Sequence, residues 1–273
     1  MAEPDKTAEL RNPYLALLGG KLRSMASYRT SFAVELLTNA GGTVIDVATV
    51  FVLFQAAARI GEFTLAEALM MTGLTSAGFV LADMTVGNID DLKRYVRTGT
   101  LDAVLVRPLG VLPQLVCMDL PVRKLLRLIV GIGVLVVAVG MNDIDWTPAR
   151  VLLLVISPLT AAVFFGAIFV ISASLAFWWV ESGEVGSAFT YGGRDFASYP
   201  ITVYGGWFRA VFAYTLGFAF VAYQPALAIL DRPDPLGLPA WAGYMSPLVA
   251  PAAATVAWLV WRAGVRHYRS TGS

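Results

Sequence analysis

The charged side chains that fall inside long apolar stretches are the residues of this sequence with chemistry to offer. Asp46 stands in the run TVIDVATVFVLF, and Glu35 precedes it by eleven residues. Eleven residues are close to three helical turns, so the two carboxylates share one helix face. A carboxylate in hydrocarbon is costly, and such groups mark solute paths or hold a structural partner. Asp46 and Glu35 are candidates for a face that favours a cationic or polar solute. The alternative is structural: a basic residue of a neighbouring subunit or a hydroxyl such as Thr43 as partner. That alternative weighs more for Glu35, which lies nearer the end of the stretch.

Asp119, Arg123 and Arg127 recur at i, i+4 and i+8, a spacing that predicts ion pairs within one helix. Lys124 adds to a basic rim able to meet lipid phosphate. Six aromatic residues crowd 208–223, with Tyr214 and Tyr223 among them. They face lipid and pack, or they line a path for an aromatic solute; on the second reading Tyr214 and Tyr223 join Glu35 and Asp46 as path residues.

Other chemistry is excluded by what the sequence lacks. A single histidine, His267, and a single cysteine, Cys117, cannot build a zinc site of the usual type, and one cysteine cannot form an internal disulfide. His267 lies in the basic run VRHYRS and reads as a solvated interfacial residue. No G-x-x-x-x-G-K-[ST] phosphate loop, G-x-S-x-G elbow or H-E-x-x-H motif occurs. The glycines of GIGVLV at 131–136 sit in an apolar run without the third glycine of a dinucleotide fingerprint. No catalytic residue, metal ligand or cofactor is expected in this chain, and no nucleic acid partner.

The elements that must position these groups are membrane helices. Of the 273 residues 57% are hydrophobic and 14% charged, where a soluble domain carries about 25% charged. Mean hydropathy is +0.68. Apolar stretches of about 20 residues, the length that crosses about 30 Å of hydrocarbon, lie at roughly 32–57, 64–86, 125–141, 151–179, 208–229 and 246–264. The first twelve residues are polar, so the first span is expected to serve as the membrane address. Residues 13–29 place Leu15, Leu18, Leu22 and Met25 at helical spacing and predict an interfacial helix. With the N-terminus inside, six spans put seventeen of the twenty Lys and Arg residues on the inner side, so both termini are expected in the cytoplasm.

The inner loop 87–112 carries two short amphipathic runs. Ile89, Leu92 and Val96 form one; Thr98-Gly99 breaks it; Leu101, Val104 and Leu105 start the next, which Pro108 stops. Two such helices on the cytoplasmic face suit a soluble partner, or a membrane surface without one.

The stretch VRTGTLDAVLVRPL at 96–109 resembles the loop after the second span in permeases of the type-2 ABC exporter superfamily, most of all the short six-span, viologen-exporter-type branch. Residues 196–230 are similar to that branch in three features: Tyr199-Pro200, the aromatic run from Trp207 to Phe220, and Tyr223-Gln224-Pro225-Ala226. Pro225 and the run DRPDPLGLP at 231–239 resemble the family's outer re-entrant turn. The resemblance implies an all-α polytopic fold, with a cytoplasmic tail and interfacial helix over 1–30 and a permease domain over 31–273. It implies a second permease copy or sister permease, and a separate ABC ATPase that carries the ATP and Mg. Contact with that ATPase is expected on loop 87–109, through Leu92, Arg97, Leu101, Asp102 and Arg107, and on 181–206. The cargo would be a small compound, cationic or amphiphilic, exported across a plasma membrane, a bacterial one by the family's habit. A secondary carrier and a polytopic protein without transport activity are the alternatives.

Overall fold

The computed structural model describes residues 29–117 and 124–268. The interfacial helix read at 13–29 falls outside them save for Arg29, and so do Asp119 and Arg123 of the expected intrahelical pairs. The side chains of Glu35 and Asp46 are likewise outside the described set.

Helices dominate, and no strand occurs among the described residues. Two long helices come first: α1 (Arg29–Ala56) and α2 (Leu65–Val86). Thr64 caps α2 in a reciprocal box with Glu67, which satisfies two backbone donors at once. A 3-10 turn at Gly87–Asp91 leads into three short helices, α3 (Leu92–Arg97), α4 (Thr100–Leu105) and α5 (Val111–Val116). Then follow α6 (Leu125–Met141), α7 (Pro148–Ser174) and α8 (Gly183–Ser198). A broken segment holds α9 (Gly206–Arg209), a π turn over Ala210–Thr215, and α10 (Tyr223–Ile229). The last helix is α11 (Ser246–His267). Three stretches are long and apolar enough to cross a membrane: Leu65–Arg97, Pro148–Phe177 and Ser246–His267. The pair Gly206–Thr215 and Phe218–Ile229 passes the same test jointly, bent by 63°.

Contacts between helix ends define two ends of the bundle. At one, Asn142 at the close of α6 donates to the Ala66 carbonyl of α2 (2.9 Å), and Arg232 reaches Glu67 and the Glu62 carbonyl. At the other, Asp83 of α2 binds Lys124 and Arg127 at the start of α6, and Tyr268 after α11 bonds Asp102 of α4. These are the Gly61 end and the Lys93 end. Along α2, Glu67 and Asp83 stand about 24 Å apart at ~1.5 Å per residue.

The α2–α7 seam is the core. Gly78 lets the helices touch: a Cβ on it would lie 2.3 Å from the Ala161 methyl. Beside it Phe79, Phe165 and Phe169 pack at 5.2 and 5.4 Å between ring centres, a geometry that adds to the area they bury.

The chain from 181 to 229 is arranged differently from the expected inner segment and fifth apolar stretch. Helix α8, read from sequence as part of an inner segment, runs antiparallel to α2 from end to end. Gly183 lies against Lys93. Thr190 then bonds Ser172 (3.0 Å). Thr75 and Thr72 of α2 donate to the carbonyls of Ala197 and Ser198 (2.9 and 3.0 Å), and Thr202 donates to Gly61 (3.0 Å). Residues 206–229, expected as span five, begin beside Thr202 and finish beside Phe63, whose ring meets Tyr223 at 5.8 Å. Both ends are therefore at the Gly61 end, and the segment dips between them. Its turn is at Gly217, whose φ of 90° is open to glycine and strained for other residues. Phe218 there reaches Phe164 and Phe165 of α7. The sequence hides this helix because α8 carries Glu184, Arg194, Asp195 and four glycines and so gives no continuous apolar run; its place beside α2 is set by hydrogen bonds such as Thr75 to Ala197.

Candidate functional site

The Lys93 end is built around a buried carboxylate. Asp83 ends the apolar run of α2 and is 6% exposed. It accepts from Lys124 Nζ at 2.7 Å and Arg127 at 3.1 Å, and Lys124 also donates to its carbonyl. Removed from water, a carboxylate needs this double compensation. Arg127 thus reaches across to α2, where the sequence spacing points to a partner on its own helix; Lys124, read as a lipid-facing rim, is committed to Asp83. Asp83 itself escapes a sequence reading, since it looks like the polar end of a span.

From this anchor the chain builds a platform. Ile89, Leu92, Val96, Leu101 and Val104 are all buried, which turns the apolar side of α3 and α4 into the bundle. Leu92 and Leu101, expected to fill a partner's cleft, are fully enclosed by their own chain and hold the platform in place instead. Arg97 is exposed and forms a 2.9 Å pair with Glu181, which joins α3 to the start of α8. Asp102 accepts from the Tyr268 hydroxyl at 3.0 Å. Burial and this bond raise Tyr268 above its ordinary pKa, so it stays a donor. Gln114 donates to the carbonyls of Val104 and Leu109 and closes the loop behind α4. Val106, 86% exposed, and Arg107 protrude. The outer surface of the platform is thus Arg94, Arg97, Val106 and Arg107, with a shallow pocket of Lys93, Arg94, Arg97, Glu181 and Glu184 beside it.

The Gly61 end is closed by a polar lock. Tyr223, 1% exposed, donates to Asp234 at 3.0 Å, and Gln224 donates to the same carboxylate at 2.6 Å. Arg150 pairs with Asp231, and Arg232 lies 4.4 Å over the Phe63 ring. Arg150, Gln224, Asp231, Arg232 and Asp234 border a cavity of about 310 Å³. The structure places Tyr223 as a brace of the 231–239 loop. Tyr214 is half-buried in the dipping segment, against Phe220 at 6.5 Å.

Between the ends, α1, α2 and α8 enclose a polar cavity of about 250 Å³, lined by Thr49, Val50, Thr72, Arg194, Asp195, Ser198 and Tyr199. No group of three or more metal-binding side chains occurs among the described residues.

Neither the curated proteins nor the solved structures give a match. The family profile described as ABC-2 family transporter protein matches residues 41–272, which takes in every helix from within α1 to the end of α11. A helical bundle with spans long enough for a membrane, a charged platform at one end, and a family match over most of its length together make this chain a member of the ABC-2 transporter family, a membrane permease.

Proposed function

We infer that the chain is the permease subunit of an ATP-driven exporter that works with a separate ATPase, which carries ATP and Mg, and with a second permease chain. Six membrane spans are assigned to α1, α2, α6, α7, α8 and α11. The Lys93 end is assigned to the cytoplasm. Its described basic residues include Lys93, Arg94, Arg97, Arg107, Lys124, Arg127, Arg262 and Arg266, against Arg59, Arg150, Arg209 and Arg232 toward the Gly61 end. Moving the fifth span to α8 takes Arg194 and Arg209 off the inner side and keeps the asymmetry. The membrane is assigned as a bacterial plasma membrane and the cargo as a small cationic or amphiphilic compound, in keeping with the likeness of 196–230 to the viologen-exporter-type branch.

The observation that carries this reading is the rigid platform 87–112. Ile89, Leu92, Val96, Leu101 and Val104 are turned inward, so its exposed charges and Val106 are available to a soluble partner. Docking there would push on α2 through the continuous chain at Gly87–Asp91, on α8 through Arg97–Glu181, and on α11 through Asp102–Tyr268. Each link ends on a helix that runs the length of the bundle, so closure of the ATPase pair would be felt at the Gly61 end. The test is co-purification. Charge reversal at Arg107 with Val106→Glu should release the ATPase while the permease stays folded and membrane-bound. Retention of a fully responsive ATPase by that double variant would remove the platform from the coupling route.

A further inference from the structure

Helix α11 packs chiefly on α7, and the space between it and α2 is a groove of about 540 Å³ open to the side of the bundle. Its lining is hydrocarbon and indole, apart from Thr85, whose hydroxyl is turned back onto the carbonyls of Leu81 and Ala82 (3.0 Å each). Ala162 and Gly166 of α7 and Ala254 and Ala257 of α11 give it depth. One wall is held in place: Trp261 is 8% exposed and packs edge-on to Phe177 at 5.3 Å. A polar solute would lose its hydrogen bonds in such a recess, so the fitting occupant is hydrocarbon.

Two features say which hydrocarbon. The first is length. On α7 the lining runs from Leu159 to Val170, about 16 Å at ~1.5 Å per residue. That is about half of the ~30 Å of a bilayer's hydrocarbon, and it is the half toward the Lys93 end, with Val86 and Leu112 beside it. A helix of a second permease copy would run the full thickness, whereas a lipid tail occupies one leaflet. The second feature is charge. Trp258 stands at the rim, 54% exposed, and the guanidinium of Arg262 lies 5.2 Å over its ring. Arg262 is exposed one turn nearer the Lys93 end, and no carboxylate pairs with it among the described residues. Indole and guanidinium at the end of an apolar recess suit a lipid headgroup: tryptophan prefers that level, and the cation attracts negative charge. A cationic amphiphile would meet Arg262 with like charge.

We propose that this groove holds an acyl tail of an anionic phospholipid of the inner leaflet, with Arg262 beside its headgroup. The word inner rests on the orientation proposed above; the groove and its lipid do not. Seated there, the tail packs α11 against α2 and stabilises the folded chain by binding it. To test this, the full chain in detergent is titrated with phosphatidylglycerol or with phosphatidylcholine of the same tails, and followed by native mass spectrometry and melting temperature. The native chain should favour phosphatidylglycerol about fivefold, the effect of one basic side chain on an anionic headgroup, and should melt higher with it. Arg262→Gln should bind the two lipids alike. Gly166→Leu should lose both: a Cβ there meets only Val86, in ordinary contact at 3.4 Å, so the longer side chain enters the groove. In nanodiscs, phosphatidylglycerol with a diazirine on its tail should cross-link chiefly to 159–170 and 254–261.

Three outcomes overturn the site: equal binding of the two lipids by the native chain, a preference that Arg262→Gln keeps, or adducts no denser in the groove than on the exposed Ile129 and Val136 of α6. In a Cys117→Ala background, which removes the one native thiol, disulfide cross-linking of two Ala254→Cys copies would also overturn it, and would mark the groove as a seam between permeases. If Gly166→Leu fails to fold, the Arg262→Gln comparison and the adduct map decide. A reversed membrane orientation or loss of the ATPase from the complex would contradict the permease reading and leave these lipid measurements standing.

Discussion

The hydroxyl of Tyr268 donates to the carboxylate of Asp102 at 3.0 Å, across 166 residues of sequence. It ties the end of α11 to α4, and with the Arg97–Glu181 pair it makes the platform part of the helical bundle.

Tyr268→Phe removes that hydrogen bond and keeps the ring, which packs on Phe177 at 6.1 Å. A net loss of about 1 kcal/mol is expected. The variant should insert normally and unfold at a slightly lower temperature in detergent. An unchanged melting temperature would show that the bond adds nothing to the platform.

Asp83→Ala should be far more damaging. It leaves Lys124 and Arg127, both mostly buried, without their carboxylate, and breaking one side of a buried ion pair costs about 3–5 kcal/mol. Arg97→Ala breaks an exposed pair, worth about 0–1 kcal/mol. Thermal unfolding of the two variants side by side should separate them clearly; equal losses would contradict the difference in burial.

Gly78→Leu should prevent folding, since even a Cβ there meets the Ala161 methyl at 2.3 Å. Gly78→Ala forces the helices apart by less and should cost about 1–3 kcal/mol, the range for overpacking. Yield of monodisperse protein and its melting temperature provide the check, and a stable Gly78→Leu protein would refute the close α2–α7 approach.

The topology gives a fourth prediction. With α8 as the fifth span, Gly205→Cys in the Cys117→Ala background should be labelled by a membrane-impermeant thiol reagent added outside. Gly205 has open space around it, so the thiol needs no rearrangement to react. A reporter fused at Ser273 should be active on the inner side. Labelling of the Gly205→Cys chain from the inner side alone would restore 208–229 as the crossing segment.

Much of this fold is legible in residue order, because the long helices α1, α2, α6, α7 and α11 are apolar runs whose ends the sequence marks with charge, proline or glycine. Helix α6 appears with the expected bounds, and the break at Thr98-Gly99 falls where α3 ends and α4 begins, with Gly99 at φ 68°. Helix α8 is hidden in sequence. The run GEVGSAFTYGGRDFAS gives little apolar signal, and its place is fixed by hydroxyls of Thr72 and Thr75, far away in sequence. Direction is the second blind spot. Periodicity identifies Leu92 and Leu101 as one apolar face but cannot tell whether that face turns to a partner or to the chain's own core. Asp83 is missed for a related reason, as its partners come from another helix. Arg194 counts in sequence only as an inner charge, because depth in the bundle is a tertiary property.

The most direct test of the account is whether this permease drives transport only with an ATPase on its Lys93 end. The chain would be purified with its co-expressed ATPase, reconstituted in liposomes, and assayed for ATP-dependent movement of tetraphenylphosphonium. Predicted is transport that requires ATP and both proteins, is lost with Val106→Glu and charge reversal at Arg107, and fails for the permease alone. Transport by the isolated permease under a proton or sodium gradient, with no dependence on the ATPase, would contradict the account.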